Sequence, residues 1–293
     1  MASFVFSAFA DEAGSTLKEQ ITALTENGIK YIEPRNINQA GILTYSEDEL
    51  ADIEKQLTQA GIKVNSLGSP IGKYNIEDDF APHFEQFKKA LTVCKILKTD
   101  KMRMFSFFVK QSDLATHRDE VLKRMNAMTE EAKKHGIMLC HENESNIYGQ
   151  MPNEVADLMD NVSDLYGIFD PANYRMNDGD VIAGINATLK NFAYMHIKDA
   201  HFESQTILPA GEGEGKIGEI IDIINENYDG LVYLTLEPHL HIFDAYKDID
   251  EHELKGKYKF NTNREAFDFA VKSLEALMIK RGYRKDENAI WKK

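Results

Sequence analysis

The chain has 293 residues, of which 43% are hydrophobic and 28% charged, a composition typical of a folded water-soluble protein. Its net charge of −14 at pH 7 would repel a phosphate backbone, so we expect no nucleic-acid partner. No apolar run approaches the ~18 residues of a membrane span, and the N-terminus lacks the basic start of a signal peptide, so we expect a cytoplasmic protein without membrane contact. Cys94 and Cys140 lie in apolar patterns that predict buried, reduced thiols.

Eight apolar segments along the chain predict β-strands, and the amphipathic segments between them predict helices. The first two helices have clear starts, because Thr16-x-x-Glu19 and Ser46-x-x-Glu49 both match the capping box. Several helical segments end at a glycine, which can close a helix in the left-handed conformation directly before an apolar run. These joints lie at Gly28, Gly61, Gly136 and Gly230. The strands are predicted at about residues 3–9, 29–33, 62–67, 101–107, 137–141, 165–169, 192–198 and 231–236, with a last helix at about 264–281.

This alternation of strands and helices predicts a parallel sheet, since each helical crossover returns the chain to the same end. Eight such units can close into a barrel that has no exposed edge. The predicted fold is therefore α/β, a single (β/α)8 TIM barrel that forms one domain over residues 1–293. An open doubly wound sheet is the alternative. Residues 239–262 are long for a loop after a strand, and long loops often act as lids.

The four strands from the fifth to the eighth end in Glu142, Asp170, His196 and Glu237. Because the C-terminal ends of barrel strands meet on one face, these side chains would lie close together. Three carboxylates would repel one another unless a divalent cation lay between them, and this ligand set suits Mn²⁺, Mg²⁺, Co²⁺ or Zn²⁺. A single acidic residue after a strand is more often a helix cap or a turn former, and that alternative stays open at each position.

The segments around these positions resemble the xylose isomerase-like barrel superfamily, and most closely its sugar phosphate isomerase/epimerase branch. The resemblance runs over nearly the whole chain and includes residues 6–12, 28–35 and 69–73 near the N-terminus. The strings similar to the metal-bearing strands of that branch are His141-Glu142-Asn143, Phe169-Asp170-Pro171-Ala172-Asn173, His196-Ile197-Lys198-Asp199 and Leu236-Glu237-Pro238-His239. One departure is Glu144, because many relatives have a histidine there.

The resemblance implies that Glu142, Asp170, His196 and Glu237 bind one divalent metal ion. It further implies a sugar isomerase or 3-epimerase that acts on a ketose, an aldose or a related polyol by enediolate chemistry. Glu142 and Glu237 would remove and return a proton, and Lys198 would neutralise the developing oxyanion. Relatives are often dimers or tetramers, so a homo-oligomer is a further expectation.

Further polar residues at the predicted strand ends are candidates for substrate contact, namely Glu33, Arg35, Lys73, Glu144, Asp199 and His239. Glu33 and Arg35 could instead form a structural ion pair, and Lys198 with Asp199 could form a salt bridge at the barrel rim. The departure at Glu144 leaves the sugar specificity open. By strand alternation, His141 should point away from its neighbour Glu142 and serve in packing or in support of the ligands.

Three other functions remain as alternatives. An inosose-type dehydratase is the nearest, since the same proton abstraction can end in loss of water. An apurinic endonuclease-like metallohydrolase would need more strand-end histidines and a basic groove, and a non-catalytic sugar-binding barrel would not need the proton-transfer carboxylates. The motif Gly213-x-Gly215-x-x-Gly218 matches the dinucleotide fingerprint, but it follows no good strand and carries Glu212 and Glu214. It is predicted as the loop that opens the helix after the seventh strand.

Overall fold

The computed structural model describes residues 1–241 and 258–293, and parallel strands form the wall of a barrel within them. The barrel strands are β1 Ala2–Ala8, β2 Tyr31–Ile32, β3 Lys63–Val64, β4 Lys101–Met104, β5 Met138–Glu142, β6 Leu165–Phe169, β7 Phe192–Ile197 and β8 Gly230–Leu236. A continuous parallel ladder runs in the order β1, β8, β7, β6, β5 and β4. The remaining two strands, β2 and β3, pair with each other in parallel.

Single backbone hydrogen bonds close the barrel on both sides of this short pair. The amide of Glu33 donates to the carbonyl of Ala8 at 3.0 Å, which joins β2 to β1. The amide of Arg103 donates to the carbonyl of Leu67 at 2.9 Å, which joins the end of the third strand to β4. The predicted (β/α)8 barrel is thereby confirmed, whereas a single domain over residues 1–293 stays a prediction.

Helices cover the outside of the barrel in the order that the sequence predicts. Both capping boxes are present, because the side chains of Thr16 and Ser46 accept from the amides of Glu19 and Glu49 and receive the reciprocal bond. The four joint glycines all have positive φ angles. The helices are α1 Leu17–Glu26, α2 Glu47–Gln59, α3 Phe80–Ile96, α4 Leu114–Lys134, α5 Pro152–Asn161, α6 Pro171–Met176, α7 Val181–Thr188, α8 Ile217–Asn227 and α9 Asn263–Lys280.

Three predicted strands are shorter in the structure than in the sequence pattern. The second ends before Pro34, which has no amide hydrogen to donate to a ladder. The third continues beyond β3 only as the isolated bridge between Leu67 and Met102. The fourth leaves the ladder after Met104, and Phe107 then has a φ of 69°. Regular pairing stops early where the chain turns into the loops that surround the site.

Three antiparallel hairpins were not predicted, and the first pairs Asn36–Ile37 with Ala40–Gly41 after β2. Asp199–His201 pairs with Thr206–Leu208 directly after β7. Arg284–Lys285 pairs with Trp291–Lys292 at the C-terminus, and Trp291 also pairs with Phe4 of β1. The Trp291 ring is buried and stacks on Phe6 with 5.5 Å between the ring centroids. The C-terminal segment therefore packs against the N-terminal half of β1, away from the strand ends that carry the candidate ligands.

Side-chain alternation along the strands places the candidate ligands at the top of the barrel lumen. Cys140 and Glu142 share one face of β5, and Tyr194 and His196 share one face of β7. A buried apolar cluster that includes Cys140, Ile168 and Tyr194 therefore lies below the polar strand ends. Both cysteines are free and buried, as predicted.

Two further expectations from the sequence concern a long loop and membrane spans. The predicted long loop at 239–262 lies largely outside the described residues, which stop at 241 and resume at 258. Across residues 1–241 and 258–293, no helix combines the length and the apolar character that a bilayer crossing requires.

Gly72 allows a close approach between the loops after the third and fourth strands. Its φ is +90°, and an added Cβ would overlap the backbone carbonyl of Phe105. We expect Gly72→Ala to lower the free energy of unfolding by about 3 kcal/mol or more, because rigid backbone would have to move. Gly28→Ala is the matched control, since Gly28 has a φ of +67° but no neighbouring atom within 4 Å of the added Cβ.

The control should lose only about 1–2 kcal/mol, the cost of a left-handed alanine. Thermal denaturation of both variants beside the wild type measures the difference. Equal melting temperatures for the two variants would show that the approach at Gly72 is not tight.

Candidate metal centre

The ends of four neighbouring strands bring the four candidate ligands together. Glu142 ends β5, Asp170 follows β6, His196 lies near the end of β7, and Glu237 follows β8. One ligand atom from each residue lies within 4.8 Å of those from the other three. Every one of these side chains is at least 95% buried. We call this set the ligand group.

His196 lies at the centre of the ligand group, and each of its ring nitrogens faces carboxylate. Nδ1 lies 3.2 Å from Glu142 Oε1 and 3.5 Å from Glu237 Oε2. Nε2 lies on the other side of the ring, 3.4 Å from Glu33 Oε2. A ring nitrogen that donates to a carboxylate leaves the opposite nitrogen as the ligand atom. Glu33 therefore directs Nδ1 towards the two glutamates of the ligand group.

Glu33 is itself held in place by groups deep in the barrel. The hydroxyl of Tyr194 donates to Glu33 Oε1 at 2.8 Å and lies 3.0 Å from Ser66 Oγ. All three side chains are fully buried. Glu33 was predicted to contact substrate or to pair with Arg35, and the structure places its carboxylate behind the imidazole.

Asp170 uses its two carboxylate oxygens for different purposes. Oδ1 accepts from the amide of Asn173 at 3.0 Å and so caps α6. Oδ2 lies 2.9 Å from Lys198 Nζ, on the side of the ligand group. Asn143 fixes the backbone of Asp170 through two hydrogen bonds of 2.9 Å. The residue is thus a helix cap and a candidate ligand at once.

Two buried arginines hold the outer oxygens of the two glutamates. Arg103 Nη1 donates to Glu142 Oε2 at 3.0 Å, and Arg35 Nη1 donates to Glu237 Oε1 at 2.9 Å. Both guanidinium groups lie over the ring of Phe9, at 4.4 Å for Arg35 and 4.8 Å for Arg103. Each glutamate therefore presents one oxygen to His196 while the other oxygen is bonded to an arginine.

Burial and charge shift the protonation equilibria of the ligand group strongly. Burial raises the pKa of Asp170 to about 6, although the ammonium of Lys198 opposes the shift. Burial also raises the pKa of Glu142, but the charges of His196 and Arg103 outweigh it and hold that pKa below its usual value. Burial would lower the pKa of His196, but Glu142 and Glu33 raise it to about 10. The carboxylates therefore favour a positive charge at the position of the imidazole.

The predicted catalytic lysine also lies beside the ligand group. Lys198 Nζ is 2.9 Å from Asp170 Oδ2 and 3.4 Å from Glu237 Oε2. Burial alone would lower the pKa of Lys198, but the charges of Asp170 and Glu237 hold it well above its usual value. The neighbouring Asp199 faces the other way, so the alternative of a rim salt bridge between the two is wrong.

Asp199 organises the loop that carries the glycine motif. Its buried carboxylate accepts from the amides of Gly211, Gly213 and Gly215 at 2.8–3.0 Å and from that of Ala200. Burial raises the pKa of Asp199, and these backbone hydrogen bonds oppose the shift. The motif forms the loop before α8, as predicted. A substrate contact by Asp199 stays a prediction, and its visible contacts are with the loop.

The other candidates for substrate contact lie around the ligand group. Lys73 Nζ is 3.1 Å from Glu144 Oε2. His239 Nε2 lies 3.3 Å from both Glu12 Oε1 and Glu237 Oε1. Their roles in substrate contact stay predictions.

Glu12, Glu237 and His239 form a second set with the spacing of metal ligands. Arg35 already bonds both of these carboxylates, with Nη2 3.3 Å from Glu12 Oε1. The guanidinium supplies the positive charge there, so this set needs no second cation.

Several residues of the site escaped the sequence analysis. Arg103 lies inside β4 between two methionines, and its one signal is a charge in the middle of an apolar strand. Asn143 and Asn173 both donate hydrogen bonds to Asp170, and the side chain of Asn173 also donates to the backbone carbonyl of Asn143. His141, by contrast, points away from Glu142 as strand alternation predicts; its ring lies 2.8 Å from Ser106 Oγ, and burial lowers its pKa to about 4.

The family model described as a xylose isomerase-like TIM barrel matches residues 21–255. The chain belongs to the xylose isomerase-like TIM barrel family. The resemblance of its strand-end motifs to this family is therefore confirmed. No curated protein matches the sequence.

Solved structures of this family share the fold at low sequence identity. The IOLI protein with a bound zinc atom has a TM-score of 0.72 at 15% identity, covering 95% of this chain and 99% of that chain. D-psicose 3-epimerase in the presence of D-fructose has a TM-score of 0.70 at 17% identity, with the same coverage. The probable 3-DHS dehydratase from Bacillus anthracis has a TM-score of 0.70 at 14% identity, covering 94% and 99%. These TM-scores show a common fold, and sequence identities this low leave the activity open.

The donor set of the ligand group fits a divalent cation. It offers three carboxylates and one imidazole, whose Nδ1 is directed inward by Glu33. Oxygen and imidazole donors suit Mn²⁺, Zn²⁺, Co²⁺ and Mg²⁺ to different degrees. A bound dication would also balance carboxylates that otherwise depend on protons and on buried cationic side chains.

Glu33→Gln tests the part that the residue behind the imidazole plays in metal binding. We expect the affinity for Mn²⁺ to fall about 10–100-fold. The glutamine amide is a weaker acceptor than the carboxylate for the hydrogen bond from the imidazole, so it fixes the ring orientation less firmly. Isothermal titration of the metal-free protein with Mn²⁺ measures the change. Tyr194→Phe is a milder companion that keeps Glu33 but removes one of its donors. An unchanged affinity in Glu33→Gln would show that Glu33 does not orient His196.

Proposed function

We propose that the protein is a divalent-metal-dependent sugar isomerase or epimerase that acts on a ketose, an aldose or a related polyol by enediolate chemistry. One observation carries the proposal. Glu142 and Glu237 come from strands on different sides of His196, and each directs one oxygen to the same ring nitrogen, at 3.2 and 3.5 Å. A substrate bound at this point would meet two carboxylates, as proton removal and return require.

Glu142, Asp170, His196 and Glu237 would hold the metal ion, which we expect to be Mn²⁺, Zn²⁺, Co²⁺ or Mg²⁺. When bound, a divalent ion supplies Lewis-acid stabilisation of negative charge on substrate oxygen atoms. The solved structure described with a binding zinc atom supports a metal ion in a protein of this fold.

Proton transfer is assigned to the two glutamates. One would take a proton from the carbon next to the carbonyl group, and the other would deliver a proton to the enediolate. Return to the same carbon from the opposite face gives the epimer, and delivery to the neighbouring carbon gives the isomer. Arg35 and Arg103 keep both carboxylates oriented through hydrogen bonds of 2.9 and 3.0 Å.

Lys198 would stabilise the negative charge that develops when the proton leaves. Its ammonium is buried beside Asp170 and Glu237 and stays protonated in that environment. A fixed positive charge in a site without water stabilises an oxyanion more strongly than the same charge in solvent.

An inosose-type dehydratase is the second candidate, and Lys198 is the observation that favours it. Once a glutamate has removed the proton, the ammonium beside the ligand group could donate a hydrogen bond to the departing hydroxyl group and stabilise its negative charge. The protonated glutamate could then return the proton to that hydroxyl group as it leaves as water. The structural neighbour described as a probable 3-DHS dehydratase supports this chemistry on the same fold. The two candidates share the first step and differ in whether water is lost.

Incubation of the Mn²⁺-loaded protein with ketoses in D₂O tests the proposal. D-psicose, D-fructose, D-tagatose and L-ribulose form the first panel, because proteins of the same fold are described with these sugars. We expect deuterium at the epimerised or isomerised carbon of at least one sugar, detected by NMR. Glu142→Gln and Glu237→Gln should each lower the rate about 10²–10⁴-fold, since each removes a proton-transfer group.

Glu131→Gln is the matched control for these variants. Glu131 pairs with Lys134 on the outer surface of α4, so its loss changes charge by the same amount far from the ligand group. Chelation of the metal should abolish the exchange. An unsaturated product that has lost water would favour the dehydratase. No exchange with any sugar, or full activity in both glutamate variants, would contradict the proposal.

A further inference from the structure

An ion pair between two loops lies at the mouth of the barrel above the ligand group. Lys73, in the loop after the third strand, places its Nζ 3.1 Å from Oε2 of Glu144, which follows β5. The lysine and glutamate side chains are 33% and 23% exposed, so a ligand can reach both. The amide of Ser145 donates to the other oxygen of Glu144 at 2.8 Å. The carboxylate is therefore fixed against the lysine.

Phe105 connects this ion pair with the deeper part of the site. Lys73 Nζ lies 4.5 Å from the centroid of the Phe105 ring, and the guanidinium of Arg103 lies 5.1 Å from it. Arg103 in turn bonds Glu142 of the ligand group. Because Glu144 follows Glu142 by only two residues and pairs with Lys73, these two side chains are the groups that the far end of a substrate held by the ligand group would meet.

The cationic side chains joined to this site are each paired with carboxylate. Lys73 forms an ion pair with Glu144, and Arg103 forms one with Glu142. Lys198 lies between two members of the ligand group, and Arg35 bonds three carboxylates. Among the described residues of the ligand group and these neighbours, carboxylates outnumber guanidinium and ammonium groups, and a divalent ion would bring the charge close to balance.

A phosphate monoester would disturb that balance. It carries a charge of about −1.5 to −2 at pH 7 and would need a cation that is now bonded to Glu144 or to a buried carboxylate. Taking such a cation leaves a carboxylate without its partner, which is costly where water is excluded. A hydroxyl group has no such cost, because it can donate to Glu144 and accept from Lys73 at the same time.

We infer that the substrate is an uncharged open-chain sugar or polyol and not its phosphate ester. Lys73 and Glu144 bind hydroxyl groups at the end of the substrate that is remote from the ligand group. Glu144 neutralises Lys73 and so excludes phosphate at this position. The inference rests on the proposed sugar chemistry, and it names the substrate class of the same site.

Paired ligands test the inference on the full chain loaded with Mn²⁺. D-psicose, D-fructose, D-tagatose and L-ribulose are compared with their terminal phosphate monoesters by isothermal titration. We expect at least one free sugar to bind, and its ester to bind about tenfold more weakly or worse. Glu144→Gln removes the competing carboxylate, so the affinity for the ester should rise about fivefold.

The double variant Glu144→Gln/Lys73→Met should lose that gain, because the released ammonium is its source. Glu131→Gln again serves as control, since it breaks a lysine–carboxylate pair on α4 with the same change in net charge. Its affinity for the ester should match that of the wild type.

The outcomes separate this inference from the proposed function. Tighter binding of an ester than of its free sugar by the wild type would overturn the inference and leave the sugar chemistry standing. An equal rise in ester affinity in Glu131→Gln and Glu144→Gln would also overturn it, because the effect would come from net charge alone. Binding of no sugar and no ester would overturn the proposed function and this inference with it.

Discussion

Three buried carboxylates surround one imidazole at the end of the barrel, and their mutual repulsion is the constraint on which the site depends. Glu142, Asp170 and Glu237 lie within reach of His196, and none of them is more than 5% exposed. Burial raises the pKa of Asp170 to about 6, so the cluster is close to taking up a proton instead of staying fully charged. Positive charge has to come from the surrounding residues and from a bound cation.

The surrounding elements supply part of that charge and fix each carboxylate in one orientation. Arg35 follows β2, and Arg103 lies on β4 beside β5; each bonds the outer oxygen of one glutamate. Lys198 joins Asp170 to Glu237, and Glu33 sets the orientation of the imidazole from behind. Because these contacts leave one oxygen of each glutamate facing inward, the same network that stabilises the buried charges also shapes a site for proton transfer.

The barrel and its ligand group could be predicted because their signals lie in local sequence. Capping boxes and glycine joints mark the helix ends, and the four ligand candidates directly follow strands. Arg103 could not be assigned, since its role depends on a contact between β4 and β5 that no spacing reveals. The orientation of Asp199 was equally hidden, because its partners are backbone amides of a loop more than ten residues away. Partner choice among charged groups is decided by tertiary packing, which the strand pattern does not contain.

The central claim is that the ligand group holds one divalent ion. Metal content after incubation with Mn²⁺ and gel filtration, measured by mass spectrometry for the wild type and Asp170→Asn, tests it most directly. The amide can still cap α6 through its oxygen, so the variant should fold while it loses the charge and the ligand oxygen. We expect about one ion per wild-type chain and at most about a tenth of that in the variant. No ion in the wild type, or equal content in both proteins, would contradict the account.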